Sequence, residues 1–159
     1  MLGIDVTVEG DLVVLKSPYN DECIKRIKAL GGRWNPRRRV WEVNSRYEDN
    51  VREIAMDIYG TDGRKVETTT IRIDLDKYGG TLYDEIVIAG QTVVKKRHRD
   101  QLPVLVRTAV VKGKLLSSGG SLRYPLIKWK AGTILEVWDV PLSIASKLAN
   151  ENDGITIVR

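Results

Sequence analysis

The stretch "GGRWNPRRRVWEV", residues 31–43, places two tryptophans seven residues apart around an Asn-Pro pair and a run of arginines. Pro36 suits the second position of a tight turn, so the stretch predicts two short strands joined by a loop. Side chains alternate between the faces of a hairpin, and Trp34 and Trp41 are therefore expected to form a cross-strand pair. At least one ring is expected to pack onto a core, because aromatic side chains dominate small cores.

The residues on both sides of this hairpin predict two helices. Asn20 is a suitable N-cap for the first helix, and the Gly31-Gly32 pair ends it. Ser45 and Glu48 have the spacing of a capping box, so a second helix is predicted from there to Gly60. Together with the strand "DLVVLKS" before the first helix, residues 1–62 predict a strand-helix-hairpin-helix module.

The polar segment "GTDGRKVETTT", residues 60–70, is the best candidate for a linker, and residues 63–68 are assigned to it. Beyond it, in residues 69–159, the hydrophobic period changes to two, which predicts β-strands. Pro141 is expected to open one short helix near the C-terminus, before a last strand. The predicted fold class is α+β, with the N-terminal module followed by a mostly antiparallel β module with one C-terminal helix. The predicted strands of this module are "TTIRIDLDKY", "DEIVIAGQTVVKK", "PVLVRTAVVKGKLL", "LIKWKAG", "TILEVWDV" and "GITIVR".

Positive charge is concentrated in the second part of the chain. The 159 residues carry a net charge of +5. Residues 1–63 hold 10 Lys/Arg and 11 Asp/Glu, whereas residues 95–130 hold ten basic residues and the single acid Asp100. A local field of this kind attracts polyanions, although a solvated basic face is an equally good interpretation of the charge run alone.

The arginines of the hairpin favour a nucleic-acid contact. A hairpin tip requires turn-forming residues and not charge, and three consecutive arginines repel one another. Arginines beside an indole ring suit phosphate contact together with base stacking. The alternative is an ordinary basic loop on a solvated surface. The candidate nucleic-acid-binding residues here are Arg33, Trp34, Arg37, Arg38, Arg39 and Trp41.

Two basic clusters in the second part extend the candidate surface. "VVKKRHRDQLP", residues 93–103, is interpreted as a phosphate clamp or as a basic loop that keeps a sheet edge from aggregating. "KGKLLSSGGSLRYPLIKWK", residues 112–130, is expected to be a long hairpin loop, with Trp129 either stacking on a base or facing inward. The candidate nucleic-acid-binding residues are Lys95, Lys96, Arg97, Arg99, Lys112, Lys114, Arg123, Lys128 and Lys130.

Signatures of an enzyme are sparse. Asp74 and Asp76 are predicted to share a strand face, a pattern that holds Mg²⁺ in some sites, but ordinary surface charge explains them better. One cysteine, Cys23, and one histidine, His98, argue against a zinc site. No catalytic residue, metal site or cofactor is predicted.

Residues 11–60 resemble the HARP domain of annealing helicases. Tyr19, Trp34, Asn35, Arg39 and Trp41 match its pattern of an aromatic residue before a helix, an aromatic-Asx turn with basic residues, and a further tryptophan. That domain is linked to binding branched or partly single-stranded DNA and accompanies an ATPase motor. This chain has no Walker A signature and is too short for a motor, so the resemblance implies only the binding role. The whole chain also resembles short proteins of phages and mobile elements.

The sequence therefore predicts a non-enzymatic protein that binds nucleic acid, DNA with RNA as a possibility, with single-stranded or branched forms favoured. One alternative is a protein-binding regulator of a host nucleic-acid machine, and another is a binder of small anionic nucleotides. No long apolar run is present, and the single cysteine fits a reducing compartment, so a cytoplasmic location without a membrane span is expected. The oligomeric state is left open.

Overall fold

The computed structural model describes residues 3–79 and 83–158. The chain divides into two compact units. The first unit comprises Met1–Glu67 with Ala89–Gln91, and the second comprises Thr68–Ile88 with Thr92–Arg159. The class is α+β, with helices beside antiparallel sheets and a C-terminal helix followed by a strand, as the hydrophobic periods predict.

The first unit is a four-stranded antiparallel sheet covered on one face by helices. Its strands are β1 (Asp5–Glu9), β2 (Leu12–Lys16), β3 (Arg33–Asn35) and β4 (Val40–Asn44), in the order β1-β2-β4-β3. Its helices are α1 (Asp21–Ala29) and α2 (Glu48–Tyr59), and a 3₁₀ turn, Ser45–Tyr47, precedes α2.

The core of the first unit lies between the sheet and the two helices. Val13 and Leu15 from β2, Ile27 from α1 and Val51 from α2 are fully buried in one cluster. Their spacing of two along the strand and the helical spacing of the apolar residues along α1 and α2 place them on facing surfaces. Trp41 packs against this cluster from β4. The hairpin is thereby anchored to the core through one of its two rings.

The cap of α1 is as predicted, and the start of α2 is not. The Asn20 side chain accepts a hydrogen bond from the Cys23 amide at 2.9 Å. At the second helix, Asn44 accepts from the Arg46 amide, while the Glu48 carboxylate bonds Arg52 one turn later. The predicted capping box does not form at these residues, because Asn44 caps the 3₁₀ turn, α2 begins only at Glu48 and Glu48 has a charged partner.

The second unit contains two antiparallel sheets and two helices. The larger sheet has the order β11 (Ile155–Val158), β5 (Thr68–Asp74), β10 (Ile134–Pro141), β9 (Thr108–Lys112). The smaller sheet joins β6 (Glu85–Ile88), β7 (Gln91–Lys95) and β8 (Val104–Leu105). The helices are α3 (Leu75–Tyr78) and α4 (Leu142–Glu151), and α4 begins directly after Pro141 as expected.

Four predicted strands of the second unit differ in the structure. The stretches "DEIVIAGQTVVKK" and "PVLVRTAVVKGKLL" each form two strands, β6 with β7 and β8 with β9. The stretch "TTIRIDLDKY" is a strand only as far as Asp74, whose side chain then caps α3 by accepting from the Asp76 amide. The stretch "LIKWKAG" is not a strand, and contributes a single bridge between Trp129 and Leu115. Thr61 and Asp62, just before the assigned linker 63–68, are buried, and the Asp62 carbonyl accepts from the Val6 amide of β1. The last residue of that linker, Thr68, already belongs to β5.

Candidate nucleic-acid interface

The loop of the first-unit hairpin is held by a single asparagine. Asn35 Oδ1 accepts hydrogen bonds from the amides of Arg37 and Arg38, and Asn35 Nδ2 donates to Glu42 on the opposite strand. Arg39 closes the loop with its amide bonded to the Asn35 carbonyl and a positive φ of 57°. Asparagine side chains often accept hydrogen bonds from backbone amides at turns. The conformation of this loop therefore does not depend on the arginine side chains.

The two tryptophans of the hairpin form the predicted cross-strand pair. Trp34 and Trp41 are directly opposite in the register of β3 and β4, with ring centroids 5.4 Å apart and planes tilted by 56°. Trp41 packs on the core, whereas Trp34 keeps 47% of its surface exposed. Trp41 thus fixes the position of a neighbouring ring that faces solvent.

A groove opens beside this pair, and we call it the ring groove. It is bounded by the end of β2, the start of α1 and the hairpin arms, with a volume of about 1180 Å³. Tyr19, Trp34 and Trp41 supply its aromatic surface, and Tyr19 is 80% exposed. Its basic lining residues are Lys16, Lys28, Arg33 and Arg39, and no acidic residue is among the described residues that line it.

The four basic residues of the ring groove are exposed and form no ion pair with described residues. Other arginines of the first unit do form ion pairs. Arg38 donates two hydrogen bonds to the Glu9 carboxylate of β1, at 2.9 and 2.8 Å. These bonds lower the pKa of Glu9. Arg38 was predicted as a phosphate contact, yet its charge is already matched by a carboxylate, and it ties the hairpin to the sheet instead. Arg37 remains exposed at the loop tip.

Two polar groups at the start of α1 belong to the ring groove. The Tyr19 hydroxyl donates to Asp21 at 2.7 Å, and this bond raises the pKa of the Tyr19 phenol. Cys23 is 1% exposed, and burial raises the pKa of its thiol. A buried, protonated thiol is a poor nucleophile, so the helix N-terminus does not make Cys23 reactive.

Lys96 is not at the surface, and its prediction as a phosphate contact is wrong. Its side chain is fully buried, and its ammonium donates to the backbone carbonyls of Gln101 and Ser117. The run "KKRHR" looks uniformly exposed in sequence, but Val94 and Lys96 are both buried while Lys95 is partly exposed. Lys95 itself bonds Asp84 at 2.8 Å and lies 3.9 Å from Glu85, so its charge is also matched.

Three lysines of the second unit share one face, and we call this set the lysine ladder: Lys114, Lys128 and Lys130. The Lys130 amide bonds the Lys114 carbonyl and the Leu116 amide bonds the Lys128 carbonyl, on either side of the Leu115–Trp129 bridge. Alternation puts the lysines on the face opposite to the buried Leu115. Lys114 and Lys130 lie across from each other, and like charges in that position repel, so this arrangement favours an external anion.

The remaining predicted residues of the second unit are exposed. Arg99 forms an ion pair with its neighbour Asp100 at 3.1 Å, and the Arg123 guanidinium lies 5.5 Å from the Tyr124 ring. Arg97 and Lys112 are exposed and have no ion pair within residues 3–79 and 83–158. The structure therefore keeps these residues available to a ligand, except that the Arg99 charge is partly matched.

Trp129 and Asp76 have a structural role. The Trp129 indole donates to Asp76 Oδ1 at 2.8 Å, and the Gly132 amide donates to Asp76 Oδ2 at 2.7 Å. The Trp129 bond, followed by the Gly132 bond, lowers the pKa of Asp76. Asp74 caps α3, so the two carboxylates do not share a strand face. Neither arrangement resembles a pair of metal ligands.

Clusters of three or more His, Cys, Asp or Glu side chains that would suit a metal ion do not occur in the described part of the chain. None of the helices within residues 3–79 and 83–158 has the length and apolar character that a bilayer crossing requires. Comparison of the chain with protein-family models, curated proteins and solved structures gives no match. The HARP resemblance therefore stays a prediction.

Sequence reasoning missed Lys16 and Lys28 as members of the basic surface. Lys16 ends β2 and Lys28 lies in the last turns of α1, so neither is close to the hairpin in sequence. Both enter the ring groove because β2 pairs with β4 and α1 packs beside the hairpin. The sequence showed only that these two positions are polar and lie beside predicted apolar faces. That pattern is common on any protein surface.

Proposed function

We propose that the protein binds nucleic acid without chemical turnover and holds unpaired bases in the ring groove. The observation that carries this proposal is the combination of an exposed Trp34 ring with four unpaired cations in a groove whose described lining contains no acid. Aromatic rings stack on any base, and flanking cations contact the phosphates on either side of it. Bases in a duplex are already stacked, which favours single-stranded or branched forms.

The conformation of Arg39 supports the same proposal. A positive φ of 57° is a position where glycine is cheaper than any residue with a side chain. Arginine at this position costs backbone energy, and the Asn35 bonds already stabilise the loop. The side chain is therefore retained for a contact that glycine cannot make. Since Arg39 lines the ring groove, that contact is with the ligand.

The lysine ladder extends the proposal to the second unit. Its three ammonium groups are exposed and have no ion pair with the described residues. With its exposed tryptophan, the ring groove supplies base stacking, whereas the ladder offers charge alone. We assign to the groove the stacked base with its adjacent phosphates, and to the ladder further phosphate contact without base contact. The HARP resemblance favours DNA as the ligand, with RNA as the alternative.

The test is fluorescence anisotropy with a labelled 20-nucleotide single-stranded DNA, and with a duplex, a fork and an RNA of matched sequence. Trp34→Ala is expected to weaken single-strand binding roughly five- to 150-fold, the equivalent of about 1–3 kcal/mol of stacking. Trp138→Ala is the matched control, because Trp138 is 41% exposed on β10 of the second unit and does not line the groove.

Equal loss of affinity in both variants would show that the ring groove is not the binding site. Absence of binding by the wild-type chain at low salt to all four probes would exclude nucleic acid as the ligand. The basic surfaces would then be assigned to an acidic protein partner, which is the regulator alternative.

A further inference from the structure

The burial of Lys96 is the least expected feature of the second unit. Its ammonium has no exposed surface and no carboxylate partner among the described residues, and its two acceptors are backbone carbonyls. Removing a charged group from water is costly, and methionine of similar length would fill the same space without that cost. A buried lysine in this position therefore calls for a reason other than stability.

The two carbonyls belong to different loops. Gln101 lies in the loop after β7, and Ser117 lies 21 residues beyond Lys96 in the Gly/Ser-rich loop. The one ammonium therefore donates to both loops at once. The Lys96 backbone is itself fixed, since its amide bonds the Asp84 carbonyl at 2.6 Å.

Basic side chains lie on the outer surface of both loops. Arg97 and Arg99 are on the first loop, and the Arg99 carbonyl accepts from the Gly119 amide of the second loop at 2.8 Å. A Cβ on Gly119 would lie 2.8 Å from Cγ of Lys128, so the stem of this ladder residue runs across the second loop. The Lys96 contacts thus join the first basic loop to the lysine ladder.

We propose that Lys96 is a positioning residue that holds the two basic loops together as one phosphate-binding surface. Lys96 does not touch the ligand. It fixes the spacing between the arginines of residues 97–99 and the ladder, so that one sugar–phosphate backbone contacts both. This inference rests on the proposed function. It states that this surface contacts the sugar–phosphate backbone of the nucleic acid, whatever its bases are.

The experiment compares Lys96→Met with Lys95→Met. Both remove one positive charge at adjacent positions, but Lys95 is partly exposed and bonded to Asp84, whereas Lys96 is buried. Affinity for the 20-nucleotide single strand is measured across a KCl series. Each phosphate contact contributes roughly 0.7 to the slope of log affinity against log salt for single strands. Lys96→Met is expected to lower the slope by about 1.4 or more, and Lys95→Met by about 0.7 or less.

Hydrogen exchange of the Gly119 amide gives a second readout that a direct phosphate contact would not change. This amide bonds the Arg99 carbonyl, and its exchange is expected to accelerate in Lys96→Met while amides of β5 and β10 keep their protection. Lys96→Arg, which retains charge and donors, is expected to recover most of the salt slope.

Gly119→Ala displaces the backbone that bonds the Arg99 carbonyl without changing Lys96, because its Cβ would lie 2.3 Å from the Leu126 carbonyl oxygen of the same loop. If Lys96→Met does not fold, Gly119→Ala replaces it in the test. The same decrease in the slope of log affinity against log salt is expected. A folded Lys96→Met, or failing that Gly119→Ala, with the wild-type slope would overturn the inference and leave the proposed function intact. A wild-type chain that binds no probe would overturn both.

Discussion

At the scale of single residues, Arg39 separates the requirements of folding from those of binding. Its positive φ of 57° favours glycine, and its side chain lines the ring groove. In Arg39→Gly, the free energy of unfolding is expected to stay the same or rise by up to about 1 kcal/mol, because relief of the left-handed strain exceeds the entropy that glycine adds to the unfolded chain. Affinity for single-stranded DNA is expected to fall several-fold. Urea unfolding and anisotropy on one preparation measure both quantities.

Arg37→Gly is the control for this prediction. Arg37 is exposed in the same loop, but its φ is not positive. Glycine there is expected to lower stability, since it adds entropy to the unfolded chain without relieving strain. If Arg39→Gly lowered the free energy of unfolding as much as Arg37→Gly does, backbone strain at residue 39 would not distinguish the two positions.

Asp76 gives a prediction about pH at the same scale. Its hydrogen bonds from Trp129 and then Gly132 lower its pKa in the fold from the ordinary value of 3.8. Ionised Asp76 therefore stabilises the fold fully above that value, and its contribution is lost as the pH falls through 3.8 and then through the lower folded pKa. In Asp76→Asn, the thermal midpoint is expected to lie below that of the wild type at pH 6 and to approach it at about pH 2.

Asp153→Asn serves as the comparison for the acid titration. Asp153 is exposed and makes no side-chain hydrogen bond with the described residues. Its replacement is expected to change the midpoint little at either pH. A constant difference between wild type and Asp76→Asn from pH 6 to pH 2 would mean that the carboxylate charge is not what holds Trp129.

Individual residues also show where sequence reasoning succeeded and failed. The Asn20 cap and the Trp34–Trp41 pair depend on partners within seven residues, and local patterns predicted both. Lys96 bonds a carbonyl 21 residues away, and Asp76 bonds an indole 53 residues away. Such partners meet only after the strands pair, so neither the burial of Lys96 nor the bond of Trp129 to Asp76 could be predicted from neighbouring residues.

At the scale of elements, the hairpin is attached to the sheet edge by an exposed ion pair. Arg38 reaches from the loop to Glu9 on β1, although β1 and β3 are at opposite ends of the sheet order. In Glu9→Gln, the guanidinium is released and the first unit gains one positive charge. Affinity for single-stranded DNA is expected to rise, with the salt slope steeper by roughly 0.7.

The unfolding midpoint of Glu9→Gln is expected to change little, because exposed ion pairs contribute little to stability. Asp57→Asn is the matched control. It breaks another exposed arginine pair of the first unit, with Arg26 at 3.0 Å, and makes the same change in net charge. Arg26 does not line the ring groove. A comparable gain of affinity in Asp57→Asn would therefore mean that the change in net charge, and not the release of Arg38, causes the gain.

The elements themselves were largely predictable, and the reason is periodicity. The spacings of α1 and α2 and the alternation of β5, β7 and β10 are strong enough to identify each element type. Strand β1 was not predicted, since "DVTVEG" alternates for only five residues. The ring groove could be predicted only in part, because Lys16 and Lys28 reach it through the pairing of β2 with β4 and the packing of α1.

At the scale of the whole molecule, the two units differ in charge, and we expect them to contribute different terms to binding. The first unit holds 12 Lys/Arg and 12 Asp/Glu, a net charge of 0, and the second holds 14 and 9, a net charge of +5. Stacking on an uncharged ring changes affinity equally at all salt concentrations, whereas a lysine that contacts phosphate contributes to the salt slope. The distribution of charge along the chain therefore predicts which unit determines the salt dependence.

This division is tested with Trp34→Ala, the double variant Lys114→Ala/Lys128→Ala and their combination. Trp34→Ala is expected to shift the plot of log affinity against log salt downward without changing its slope, and the lysine variant to lower the slope by roughly 1.4. The two effects are expected to add in the combined variant, since the substituted residues lie in separate units. Lys147→Ala, an exposed lysine on α4 outside the ladder, is expected to leave the slope unchanged within the error. A slope that falls equally in Trp34→Ala and in the lysine variant would mean that a single site carries both terms, and the assignment of base stacking to the first unit and of the ladder's phosphate contacts to the second would be wrong.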